Sequence, residues 1–210
     1  MHHQHVFIKG RNDLAPTLLL LHGTGGNERD LLPLAQLISP EASILGVRGN
    51  VLENGLPRFF RRIAEGVFDE EDLVLRTRQL NDFLSEMAVH YGFNREHVLA
   101  IGYSNGANIA ASLLYHDEKS LHGAILFHAM VPLRGVKLPD LSKISVFIGA
   151  GKRDPLIPAH ETKELSETLQ QAGAQVTEYW TEGGHDLRKD LIEEAKKWYE
   201  KVYIKNGYNE

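Results

Sequence analysis

EHVLAIGYSNGANIA, residues 96–110, passes from an apolar run, Val98 to Ile101, straight into a glycine-flanked serine and then into small residues. A strand that turns at once into a helix holds the residue at its tip in a strained backbone conformation. It also brings the neighbours two places away so close that only glycine fits. Gly102 and Gly106 supply that room. The serine between them, Ser104, then stands at the sheet edge, at the positive end of the following helix.

Similar apolar runs recur on either side of this stretch. PTLLLLHG (16–23), ASILGVRG (42–49), HGAILFHA (122–129) and ISVFIGAG (144–151) read as buried strands, and AQVTEYW (174–180) as a strand with a period nearer two. Between them lie helical spacings: Leu80, Phe83, Leu84, Met87 and Tyr91; Leu165, Leu169 and Ala172; and Leu191, Ile192, Ala195, Trp198, Tyr199 and Val202. Strands buried on both faces and separated by helices predict an α/β fold, a mostly parallel sheet with helices on each face. Repeats and linkers are absent, so residues 1–210 read as one domain.

Composition narrows the function. Twenty-three basic and twenty-eight acidic side chains give a formal charge of −5, the wrong sign for holding nucleic acid through its phosphates. The start, MHHQHVFIKGRNDL, has no apolar targeting core, and nowhere are there the eighteen or more apolar residues of a membrane span. The expectation is a cytoplasmic chain. With no cysteine there is neither a disulfide nor a thiolate ligand or nucleophile.

In such sheets ligands bind beyond the carboxyl ends of the strands. The segments there are HGTGGNE (22–28), GYSNG (102–106), HAMVP (128–132), AGKRDP (150–155) and TEGGHD (181–186). A serine hydroxyl needs a base to take its proton, and an imidazole serves when a carboxylate fixes its tautomer. Of eleven histidines, His185 alone occupies a glycine-bordered loop after the last strand and before the final helix; His2, His3 and His5 lie on the leading segment. Asp154 follows a buried strand and precedes the rigid PLIP, a placement that Asp140, Asp186 and Asp190 lack. HGTGGNE matches neither phosphate-binding glycine pattern. It reads instead as an oxyanion hole, in which backbone N–H groups of Thr24 and Asn105 face the developing charge. No metal-ligand spacing of the H-E-x-x-H kind occurs, so neither a metal nor a cofactor is expected.

LLLLHGTGG, GYSNGA, GKRDPLIP and GGHDL, in this order, resemble the phospholipase/carboxylesterase family of small α/β-hydrolases over nearly the whole chain. RGNVLENGLPRFFRR followed by AEGVFDEEDL is similar to its MhqD-type bacterial branch, named for a response to methylhydroquinone. The resemblance implies an α/β-hydrolase fold with Ser104 as nucleophile, Asp154 and His185 as its triad partners, and Thr24 and Asn105 as oxyanion donors. Related acyl-protein thioesterases commonly carry Gln where this chain has Asn105.

About twenty residues, 50–69, separate the second strand from the next helix, too few for a cap domain. They are expected to form a rim in which Phe59, Phe60 and Phe68 line an apolar pocket. Arg58, Arg61 and Arg62 either meet an acidic substrate group or pair with Glu65, Asp69, Glu70, Glu71 and Asp72. His128, Met130 and Val131 are expected to face the same mouth. The sequence therefore reads as a serine hydrolase for small carboxylic esters with short acyl groups, the same residues being able to serve thioesters or lysophospholipids. The rival readings are a silent ligand-binding hydrolase fold and a metal-dependent hydrolase. A homodimer is compatible with this reading but follows from none of these residues.

Overall fold

A computed structural model describes residues 3–205, which leaves His2 outside the described residues. The elements in chain order are β1 (His5–Ile8), β2 (Thr17–Leu21), α1 (Leu32–Ile38), β3 (Ile44–Val47), β4 (Val51–Glu53), β5 (Leu56–Arg58), β6 (Arg62–Ala64), β7 (Val67–Phe68), α2 (Glu70–Tyr91), β8 (Val98–Tyr103), α3 (Asn105–His116), β9 (Gly123–Phe127), β10 (Ser145–Gly151), α4 (Ala159–Gln171), β11 (Gln175–Thr181) and α5 (Lys189–Tyr199). A π-helical turn, Glu200–Lys205, continues α5. Among the described residues no helix is long and apolar enough to cross a membrane.

Seven strands form the main sheet in the order β1-β3-β2-β8-β9-β10-β11. All its pairings are parallel except that of β1 with β3. The strands alternate their side chains between two cores, as the period of two requires. Leu19 and Leu21 join Ala100, Leu126 and Ile148 beneath α2, α3 and α4, to which Phe83, Leu113 and Leu165 belong. Leu18 and Leu20 join Ile101, Phe127 and Phe147 against α1 and α5, which contribute Ile38, Leu191 and Trp198. This is the mostly parallel α/β architecture that the apolar runs predict, and the α/β-hydrolase fold that the resemblance implies.

Two elements escape that reading. HVFI of β1 is only four residues long, and its strand character comes from antiparallel pairing with β3. The seven-residue α1 carries Pro33 in its first turn and buries just Leu34, Ala35 and Ile38. The rim resolves into two hairpins, β4–β5 and β6–β7. The first turns on Asn54 and Gly55, both at positive φ (52° and 81°), which matches the strand twist in a two-residue loop.

Candidate active site

Strand order reverses once: β3 lies on one side of β2 and β8 on the other. The loop after β2 and the turn after β8 therefore flank the crevice where parallel sheets bind ligands. Ser104 sits at that turn with φ 53° and ψ −115°, held by its N–H bond to the Phe127 carbonyl at 2.9 Å. A Cβ on Gly102 would lie 2.6 Å from the Ala107 Cα, and one on Gly106 would lie 2.0 Å from the Leu21 oxygen. The two glycines thus let α3 close down on β8 and β2.

The structure brings together the three residues singled out from the sequence. His185 Nε2 lies 2.9 Å from Ser104 Oγ, and His185 Nδ1 lies 2.8 Å from Asp154 Oδ2. The other Asp154 oxygen accepts the N–H groups of Leu156 and Ile157 at 2.8 and 3.0 Å, which explains why a turn must follow the acid. Burial pushes the Asp154 carboxyl up, but the His185 bond and these two N–H groups hold it below the usual carboxylate range. The Tyr103 hydroxyl donates to the His185 carbonyl at 2.5 Å and fixes the loop that carries the imidazole. This arrangement can pass a proton from Ser104 to His185 while a carboxylate faces the far side of the ring.

A cavity of about 340 Å³ opens over Ser104, with Thr24, Asn105, Phe68, Met130 and Ile157 among its walls. Asn105 is the first residue of α3, where backbone N–H groups have no intrahelical partner. Its side chain works elsewhere: Asn105 Oδ1 accepts the Phe59 N–H at 2.8 Å, and among the described residues its Nδ2 has no partner. Arg58 Nη1 donates to Thr24 Oγ1 at 2.7 Å, so the rim also grips the loop after β2. Behind that loop His22 is 1% exposed. Its Nε2 accepts the Gly49 N–H at 3.0 Å, which makes Nδ1 the protonated nitrogen, 2.6 Å from the Gly23 carbonyl. Burial pulls the proton affinity of His22 down.

Several expected contacts are corrected. Phe59 and Phe60 do not line the pocket: both are fully buried, Phe59 against His22 and Phe60 edge-on to Phe68. Phe68 and Met130 form the apolar wall in their place. His128 is fully buried beneath the mouth and meets Asp154 rather than the cavity; Val131 is likewise buried, its N–H bonded to Glu161. Arg61 pairs with Asp69 and Asp72, whereas Arg58 and Arg62 share Glu53, an acid that precedes them. Arg58 and Arg62 do reach the cavity, but both are already paired with Glu53, and Glu65 stands in the same lining.

A model of the family described as phospholipase/carboxylesterase matches residues 2–203. The MhqD protein of Bacillus subtilis (strain 168) is 56% identical over 96% of this chain and the whole of its own length. A Bacillus cereus carboxylesterase structure is 59% identical with a TM-score of 0.94, covering 95% of this chain and 94% of that one. The structure of YahD with malic acid is 34% identical with a TM-score of 0.90, covering 95% and 99%. Sequence, fold and the crevice at the strand ends thus agree, and the chain belongs to the phospholipase/carboxylesterase family of hydrolytic enzymes.

Proposed function

We propose that the protein cleaves small carboxylic esters through an acyl-enzyme formed on Ser104. One observation carries this: a serine on a strained turn, 2.9 Å from an imidazole that is in turn 2.8 Å from a buried carboxylate. Ser104 Oγ attacks the ester carbonyl as His185 Nε2 takes its proton. Asp154 holds the imidazole in the tautomer with its free lone pair toward the serine. The negative oxygen that forms is met by the backbone N–H groups of Thr24 and Asn105 at the start of α3. His185 then returns the proton to the departing alcohol, and water repeats the sequence on the acyl-enzyme.

The cavity supports short acyl groups, since 340 Å³ is at the small end of ligand pockets and Phe68 and Met130 close its apolar side. The carboxylesterase from Bacillus cereus carries a name in keeping with this reading. A thioester would be attacked in the same way, its thiolate leaving in place of the alcohol. No cofactor takes part in these steps, and no partner beyond the small-molecule substrate is required. A fluorophosphonate probe tests the reading: the native chain should be labelled on Ser104 and Ser104→Ala should not. Labelling that survives the substitution would overturn it.

A further inference from the structure

Three non-glycine residues among those described have positive φ: Asn54, Ser104 and His128. Asn54 belongs to a hairpin turn. The other two follow the neighbouring strands β8 and β9, and strained backbone beside a reactive group is held there by its surroundings. His128 (φ 55°) is pinned by its N–H bond to the Gly149 carbonyl at 2.8 Å, which places its ring, fully buried, beside His185 with centroids 4.9 Å apart.

Both ring nitrogens of His128 face acceptors. Nε2 lies 3.1 Å from the Asp186 carbonyl oxygen, and Nδ1 lies 2.8 Å from Asp154 Oδ2, the oxygen that His185 Nδ1 also meets at 2.8 Å. A carbonyl oxygen only accepts, so His128 Nε2 carries a proton. His185, ready to receive the Ser104 proton on Nε2, carries one on Nδ1. Without a further proton, His128 Nδ1 and Asp154 Oδ2 would set two lone pairs against each other in a site where the Asp154 side chain is 1% exposed. A proton between them removes that repulsion and brings the charge of the three groups from −1 to zero, which burial favours. Burial outweighs the Asp154 bond and lowers the proton affinity of the His128 ring, so the third proton rests on the pairing of both ring nitrogens with acceptors and not on the basicity of the ring.

On the reading that Ser104, His185 and Asp154 act as a unit, we infer that His128 is a positioning residue. It brings a third proton into the His128–Asp154–His185 cluster and keeps that cluster neutral while His185 waits to accept the Ser104 proton. Protonating His185 then produces a net positive charge, not a neutral pair, so His185 remains a proton acceptor to lower pH. The other groups facing His128 leave this balance intact. Tyr103, edge-on at 5.9 Å, has its phenol pushed up by burial, and the Asp186 carboxylate is turned to the Gly184 N–H. The His128, Asp154 and His185 ligand atoms lie within 4.8 Å of one another, a spread that a metal ion can use, but both 2.8 Å contacts already have the length of charge-assisted N–H···O bonds.

The test is the pH profile of kcat/KM for the native enzyme and for His128→Asn. Asparagine tolerates positive φ and can offer Asp154 an N–H, but it holds no titratable proton. The variant should keep its plateau within about tenfold and shift its acid limb upward by about one pH unit. A lowered plateau with an unmoved limb would mean that His128 only packs. Proton NMR of the native protein is the second measurement and needs no variant. Two low-field resonances, one for each contact to Asp154, support the third proton, and a single one overturns it. Ser104 labelling on the same samples separates the two claims. If the native enzyme is not labelled there, the triad reading itself fails; if it is labelled and the limb stays in place, only the role of His128 fails.

Discussion

Asn105 Oδ1 accepts the Phe59 backbone N–H at 2.8 Å, tying the residue after Ser104 to a rim segment 46 residues earlier in the chain. The proposed oxyanion donor is a backbone group, and this bond sets where that group stands. Asn105→Ala should therefore lower kcat by about tenfold to a hundredfold with little change in KM, because it loosens a contact that matters most in the transition state. Asn105→Gln, one methylene longer in a site 2% exposed, should also lose activity. Unchanged kcat in both variants would show that the turn needs no side-chain support.

The three groups joined by the 2.9 and 2.8 Å contacts are expected to fail together. Ser104→Ala and His185→Ala should each reduce turnover by several orders of magnitude, Asp154→Asn somewhat less, and the double variant Ser104→Ala/His185→Ala hardly more than either alone. Single-turnover hydrolysis of p-nitrophenyl acetate measures this. Additive losses would mean that serine and histidine act independently.

Phe68 and Met130, rather than Phe60, should set the acyl-length limit. Along a p-nitrophenyl ester series, kcat/KM should rise through the first few carbons and then fall, since each buried methylene contributes about 0.8 kcal/mol only while the pocket fills. Met130→Ala should move the optimum to longer chains. Phe60→Ala should leave the optimum in place and cost about 3–5 kcal/mol of stability, as truncation of a fully buried ring does. A shifted optimum in Phe60→Ala would return that ring to the pocket wall.

Stability should decline on acidification from pH 7 to 5. Burial lowers the proton affinity of His3, His22, His97 and His122 in the folded chain. Below their ordinary value of about 6.5 the unfolded chain then binds more protons than the folded one, so stability falls with pH. His22 adds a structural loss, because a proton on Nε2 displaces the Gly49 N–H. Urea unfolding at several pH values checks this. His22→Asn should be less stable at pH 7 yet show a shallower decline, and an unaltered slope would remove His22 from the account.

The sequence told most where burial is two-sided and least where a loop chooses which way to face. LLLL (18–21) and VLAIG (98–102) are apolar throughout because helices cover both faces of their strands, and Gly102 and Gly106 mark a contact no larger residue survives. Ser104 and Asp154 could be placed because each follows such a strand, and His185 because it follows the alternating edge strand ahead of the final helix. Phe59 and Phe60 were misplaced because apolar side chains near a mouth look alike whether they line it or pack below it. The bond from Asn105 and the core beneath decide that, and both lie far away in sequence. Glu53 was missed as the partner of Arg58 and Arg62 because it comes before them, across a hairpin that brings it back. His128 was visible as a residue at a strand end, but its attachment to Asp154 depends on a positive φ that histidine seldom adopts.

From β8 onward each new strand of the main sheet docks on the one just before it, through β9 and β10 to β11. Ser104, Asp154 and His185 follow the first, third and last of these, so the nucleophile is laid down first and its base last. A chain that folds in order of synthesis holds a serine turn but no relay until its final strand is in place. On the proposed chemistry, the first ester cleaved by a refolding sample marks the closing step of assembly. Trp180 on β11 and Trp198 on α5 report the same late elements, so hydrolysis followed during refolding should appear no earlier than their fluorescence change.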